Sequence, residues 1–164
     1  MNEQVRPRLA DLLQRIPPVE LQAGDMRGTV LEMMEAMVQS SVLTAAQADG
    51  IRERIYQREE GGGTAFGGFA GPHIWCATEL GITKPLAVLG RSKTGIEWNG
   101  GDGMLVHVVV FVLAPSAMDT LHLRTEFALA AAALGVEPLL AAATGDISKL
   151  LAQALEEGEG GQGP

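Results

Sequence analysis

The segment 104–115, MLVHVVVFVLAP, constrains the fold more than any other part of this chain. It is short, rich in β-branched residues and almost without polar alternation. A strand with one face in water alternates apolar and polar side chains, whereas a strand covered on both faces need not. The segment 84–90, KPLAVLG, has the same character. Two such runs predict the centre of a sheet with cover on both sides, and that cover has to come from helices elsewhere in the chain.

Helical spacing supplies it. Asp25 stands as an N-cap before Met26, Val30, Met33, Met34, Met37 and Val38, which share one helical face. The methionines at this spacing read as adaptable core filler rather than a binding face. Thr44 opens TAAQ, a capping box with Gln47, and predicts a second helix from about Ala45 to Arg58. Ser116 heads a third, with Leu123, Phe127, Ala130, Ala131 and Leu134 as its apolar stripe until Gly135 stops it. A fourth is expected to start near Asp146 and to carry Ile147, Leu150, Leu151, Ala154 and Leu155 on one face. From residue 156 the chain reads EEGEGGQGP, which has no side chains to offset the entropy of ordering, so 156–164 is expected to be a disordered tail. No internal repeat is visible, and residues 1–155 are expected to form one α/β domain.

Composition excludes several functions. The net charge of −8 argues against non-specific binding of a phosphate backbone, which Lys and Arg drive by displacing counterions. The single cysteine, Cys76, rules out an intrachain disulfide framework and a clustered cysteine zinc site, and suits a reducing compartment. With no basic residue close in sequence, it reads as a small packing residue. The N-terminal segment is charged and broken by Pro7, no run reaches the roughly 18 apolar residues of a membrane span, and a cytoplasmic protein is expected.

The segment 59–75, EEGGGTAFGGFAGPHIW, carries the candidate chemistry. Five of the eight residues 61–68 are glycine. Such a cluster is either a flexible surface loop or a cradle whose backbone N–H groups approach an anion. Neither G-x-x-x-x-G-K-[ST] nor G-x-G-x-x-G is present, so nucleotide binding is poorly supported. Pro72 fixes the backbone before His73 and can aim the imidazole out of the loop. Of the other histidines, His107 sits inside the apolar strand and reads as a satisfied strand residue. No two histidines lie at i, i+4, and no G-x-S-x-G elbow occurs, which disfavours a helical metal motif and a serine hydrolase.

The order REEGGGT, GGFAGPH, GIEWNGGDGMLVHVVVFVLAP, then a helix with His122 seven residues after Pro115, resembles the type-2 enzyme IIA domains of the bacterial phosphoenolpyruvate-dependent sugar phosphotransferase system, the fructose/mannitol type and its nitrogen-regulatory relatives. The resemblance runs from about Leu9 to Leu155. It implies an α/β domain with a central mixed sheet flanked by helices, and His73 as the acceptor of a phosphoryl group with His122 as its catalytic neighbour. It further implies Arg58 near the phosphoryl group, with Thr64, Gly67 and Gly68 forming the phosphoryl-binding loop. No metal or nucleotide cofactor is implied, because the group arrives on a histidine of the histidine-containing phosphocarrier protein. An enzyme IIB subunit, or a regulated transporter or kinase, is the implied next partner. Phe69, Ile74 and Trp75 are candidates for an apolar docking patch, and Trp98 matches a family tryptophan, partly buried with its N–H bonded at the edge. The chain departs from the family pattern in a loop one residue shorter between Thr64 and His73, and in Gly71 and Ile74. The alternative to a working carrier is therefore a regulatory interaction module that has kept the fold and lost the transfer.

Overall fold

The computed structural model describes residues 7–75, 77–98 and 102–160; the expectation for Cys76 lies outside them. The elements are α1 (Leu9–Leu12), β1 (Val19–Glu20), α2 (Met26–Gln39), α3 (Ala45–Gly62), β2 (Phe69–Ala70), β3 (His73–Ile74), β4 (Leu86–Ile96), β5 (Val106–Leu113), α4 (Ala117–Leu134), α5 (Glu137–Ala141) and α6 (Ile147–Gly160). The sheet order is β1-β4-β5-β2, with β3 also pairing β5. Only the β4–β5 pair is antiparallel; β1, β2 and β3 run parallel to their partners, so the sheet is mixed. The two apolar runs of the sequence are indeed its central strands.

Burial follows the period of two along β5. Val108, Val110 and Val112 pack with α1, α4 and α6 through Leu9, Leu13, Leu123, Phe127 and Leu151. Val109, Phe111 and Leu113 pack on the other face with α2 and α3 through Val30, Met33, Met37, Ile51 and Ile55. Both faces are dry, which is why the strand could not alternate. The methionines of α2 are core, as their spacing predicts.

The helix starts are where their caps place them. The Asp25 carboxylate accepts from Gly28 N–H, Thr44 and Gln47 form the reciprocal capping box, and Ser116 accepts from Asp119 N–H. Gly135, at φ +72°, ends α4. Two ends differ from the sequence expectation. Helix α3 runs on to Gly62, and α6 continues to Gly160, so residues 156–160 are helical rather than part of a disordered tail. Once a helix is nucleated, each further residue adds one backbone hydrogen bond, and Glu is a good helix former. Residues 161–164 lie outside the described residues.

Arg91, 1% exposed, ties α5 to the sheet. Its guanidinium donates to the carbonyls of Leu139 and Ala142, to Glu20 and to the Thr144 hydroxyl. Burial alone would raise the Glu20 carboxyl, but the bonds from Arg91 and Thr144 and the charge of Arg91 outweigh it and hold it below the usual range. Arg91→Ala is expected to cost about 3 kcal/mol in urea unfolding, because a buried ion pair broken on one side leaves its partners uncompensated. Arg52→Ala, whose Asp49 partner is exposed, is expected to cost less than about 1 kcal/mol.

Candidate functional site

The glycine-rich segment contains a hydrogen-bonded turn at residues 66–69. Phe66 and Phe69 exchange both backbone hydrogen bonds, at 2.7 and 2.8 Å, around Gly67 and Gly68. Their φ values of +56° and +88° are those of a type I′ turn, which needs positive φ at both central residues. Gly67 N–H donates to Asp102 at 2.8 Å. A Cβ on Gly68 would sit 2.8 Å from Val136, and its carbonyl accepts from His107 and Val108. The expectation that Gly67 and Gly68 cradle a phosphoryl group is corrected: their adjacency serves the turn, and the Gly67 donor is already taken.

After the turn the chain lies along β5 as β2 and then β3. His73 pairs in register with Val112 and Ile74 with Leu113. Paired residues of parallel strands share a side, so His73 faces α4 while Ile74 enters the core beneath α3. Ile74 and Phe69 are 7% and 2% exposed, and Phe69 packs on Phe66 and Phe127. These two candidates for a docking patch are therefore core residues, because strand alternation on a doubly covered sheet leaves them no solvent face. Trp75, just beyond the strand, remains partly exposed.

The His73 ring is oriented by its own backbone. Its Nδ1 lies 2.9 Å from the Gly71 carbonyl oxygen. A carbonyl can only accept, so Nδ1 carries the proton and Nε2 presents a bare lone pair. Nε2 is buried and has no hydrogen-bond partner among the described residues. Burial pushes the imidazole down to about 4; the bond to Gly71 opposes this, and the charges of Arg124 and Arg58 add to it. The ring is thus neutral at physiological pH.

Trp75 stands edge-on to His73, with ring centroids 4.9 Å apart. The guanidinium carbons of Arg124 and Arg58 lie 5.2 and 5.9 Å from the Trp75 ring centroid. Neither arginine forms an ion pair among the described residues. Burial, and then the Arg58 charge, lower the Arg124 guanidinium, and Glu59 partly compensates. A cavity of about 330 Å³ opens here, lined by Arg54, Arg58, His73, Ile74, Trp75 and Glu79, with Arg54 paired to Glu79 at 2.6 Å. A neutral imidazole beside two unpaired cations suits an anionic group that bonds to nitrogen.

The structure does not bring His122 to His73. Thr120, on α4, donates to the Trp75 carbonyl at 3.0 Å, and Arg124 follows one turn later on the same flank. His122 lies about 200° around the helix from either. Its Nε2 is 3.6 Å from Glu126, which accepts from Leu9 N–H and Arg8 beside α1. Helix phase thus gives the second position near His73 to Arg124. The sequence carried no signal for Arg124 beyond its place two residues after His122. Thr64 is also corrected: its hydroxyl accepts from Gly71 N–H at 3.1 Å and donates to Glu59 at 2.9 Å, so it holds the loop rather than a phosphoryl oxygen. His107 is satisfied, its Nδ1 donating to the Ser92 carbonyl at 2.8 Å. Trp98 is part-buried with its N–H bonded to Glu59.

Residues 19–135 match the family described as "Phosphoenolpyruvate-dependent sugar phosphotransferase system, EIIA 2". The chain belongs to that family. It is 27% identical over 107 residues to the PTS system fructose-specific EIIABC component of Bacillus subtilis (strain 168), a match that covers 65% of this chain and 16% of that protein, so the chain corresponds to a small part of it. Its fold is that of nitrogen regulatory protein IIA-Ntr from Neisseria meningitidis, with TM-score 0.71 and 17% identity over 87% of this chain and 98% of that one. It is also similar to the mannitol IIA of Escherichia coli in its complex with phosphorylated enzyme IIB, with TM-score 0.65 and 16% identity over 85% and 95% of the two chains. Among the described residues no helix is long and apolar enough to cross a membrane.

The state of His73 has a measurable consequence. Its folded-state pKa of about 4 lies below the unfolded value of about 6.5. Between those values the unfolded chain binds more protons, so this group makes no contribution to the slope above pH 6.5 and costs stability as the pH falls from 6.5 to 4, by up to about 1.4 kcal/mol per pH unit. Histidine NMR titration is expected to show His73 ionising near 4. In His73→Gln that part of the pH slope in urea unfolding should be absent.

Proposed function

We propose that this chain is a cytoplasmic phosphoryl carrier in which His73 Nε2 accepts a phosphoryl group from the phosphohistidine of the histidine-containing phosphocarrier protein. The group then passes to an enzyme IIB-type acceptor, or its presence changes binding to a regulated transporter or kinase. The observation that carries this reading is the bare Nε2 of a ring that feels the charges of two arginines without carboxylate partners, both against the adjacent Trp75.

In the transfer, the Nε2 lone pair forms the new N–P bond while the donor's N–P bond breaks and its electron pair returns to the donor nitrogen. Positive charge develops on the His73 ring, whose Nδ1 proton stays donated to Gly71 and stabilises it. Phosphoryl transfer asks the protein mainly for alignment and for charge on the equatorial oxygens, which Arg58 and Arg124 supply. Trp75, edge-on to the ring and partly exposed, lines the same cavity.

One observation favours the other reading, an interaction module without transfer: His73 is 0% exposed. A direct assay separates the two. With phosphoenolpyruvate, enzyme I and the phosphocarrier protein, intact mass is expected to show one added phosphoryl group, lost in His73→Ala. Arg124→Ala should lower the initial rate about a hundredfold, the low end for loss of a charge-stabilising donor. No addition, with upstream proteins shown to be active on another acceptor, establishes the module instead.

A further inference from the structure

Glu59 is a fully buried carboxylate that lies outside the phosphoryl-transfer chemistry itself. Its Oε1 accepts from Thr64 N–H and from the Thr64 hydroxyl, both at 2.9 Å, and from the Trp98 indole N–H at 2.7 Å. Its Oε2 is buried without a partner. Leaving a carboxylate oxygen dry and unbonded is costly, and such a group calls for an explanation beyond packing.

The bonds lead to the acceptor histidine. The Thr64 hydroxyl spends its only proton on Glu59, which turns its lone pairs toward Gly71 N–H at 3.1 Å. Gly71 is thereby held from its nitrogen, while its carbonyl receives the Nδ1 proton of His73 at 2.9 Å. The contact is close packed, since a Cβ on Gly71 would lie 3.1 Å from the Phe127 ring. Each link has a defined direction: Trp98 and Thr64 donate to Glu59, Gly71 donates to Thr64, and His73 donates to Gly71.

We propose that Glu59 is a positioning residue for phosphoryl transfer, fixing Thr64 and through it the Gly71 peptide groups, so that His73 is held with Nδ1 protonated and Nε2 bare. The transfer part rests on the function proposed above; the effect on the ring does not. What the chain requires at position 59 is an acceptor for the donors of Thr64 and Trp98, and an amide oxygen meets that requirement as well as a carboxylate does.

The test uses the full chain in wild-type, Glu59→Ala, Glu59→Gln and Thr64→Val forms, with circular dichroism to confirm folding. Long-range ¹H–¹⁵N correlation reports which ring nitrogen of His73 carries the proton, and His107, at the start of β5 and remote from the His73–Val112 pairing at its end, serves as the internal control. Glu59→Ala and Thr64→Val should give a mixture of tautomers and, because the bond to Gly71 is the influence that raises the His73 ring, a titration moved down from about 4. Their phosphorylation rates should fall at least about tenfold, as misplacement of a reacting group does. Glu59→Gln should keep the wild-type nitrogen pattern and a rate near wild type. If Glu59→Ala does not fold, Thr64→Val decides. Folded variants with unchanged His73 nitrogens and titration overturn the proposal and leave Glu59 a structural residue. If the nitrogens move but the wild type itself takes no phosphoryl group, the positioning stands and the carrier function fails.

Discussion

The hydrogen bond from His73 Nδ1 to the Gly71 carbonyl is the contact on which the site depends. It selects one tautomer of a ring that in water takes both. Sequence-local as it is, the bond forms only because the backbone on either side is pinned. Val112 N–H donates to the Pro72 carbonyl on one side, and Gly71 N–H is anchored on Thr64 on the other. Pro72, which has no donor to satisfy, fits between them without leaving an orphan group.

Electrostatics decide what the ring can do once it is placed. Desolvation is the largest influence on His73, and the two arginines act in the same direction, so the protein keeps the ring neutral against the one opposing bond. The arginines also disfavour each other, and Glu59 relieves Arg124 only in part. Such an arrangement is unfavourable while the site is empty of anions and becomes favourable when one arrives. A protein net charge of −8 thus coexists with a local excess of positive charge, and it is the local field that an incoming phosphoryl group meets.

Much of the fold was legible because its signals are short-range. Caps at Asp25, Thr44 and Ser116 act within one turn, and the dry strand β5 declares itself through a run of β-branched residues. His73 stood out by its place after Pro72 in the glycine-rich stretch, Arg58 was found through the family resemblance, and both line the cavity. The rest depended on information that residue spacing does not hold. Gly67 and Gly68 read as part of a flexible surface loop or of an anion cradle, and only the Asp102 carboxylate, 35 residues away, settles the use of the Gly67 donor. Phe69 and Ile74 read as a docking patch until pairing with β5 set which way they point. His122 and Arg124 are two residues apart, and the flank of α4 that meets β3 is chosen by packing of the whole helix against the sheet.

The central claim is that His73 offers Nε2, with Nδ1 held by Gly71. The most direct measurement is the position of the phosphoryl group in the phosphorylated chain, read by ³¹P–¹⁵N and ¹H–¹⁵N correlation on ¹⁵N-histidine-labelled protein. The account predicts phosphorus on Nε2 of His73, with the Nδ1 proton still present. Phosphorus on Nδ1 of His73, or on His122 or His107, would contradict it.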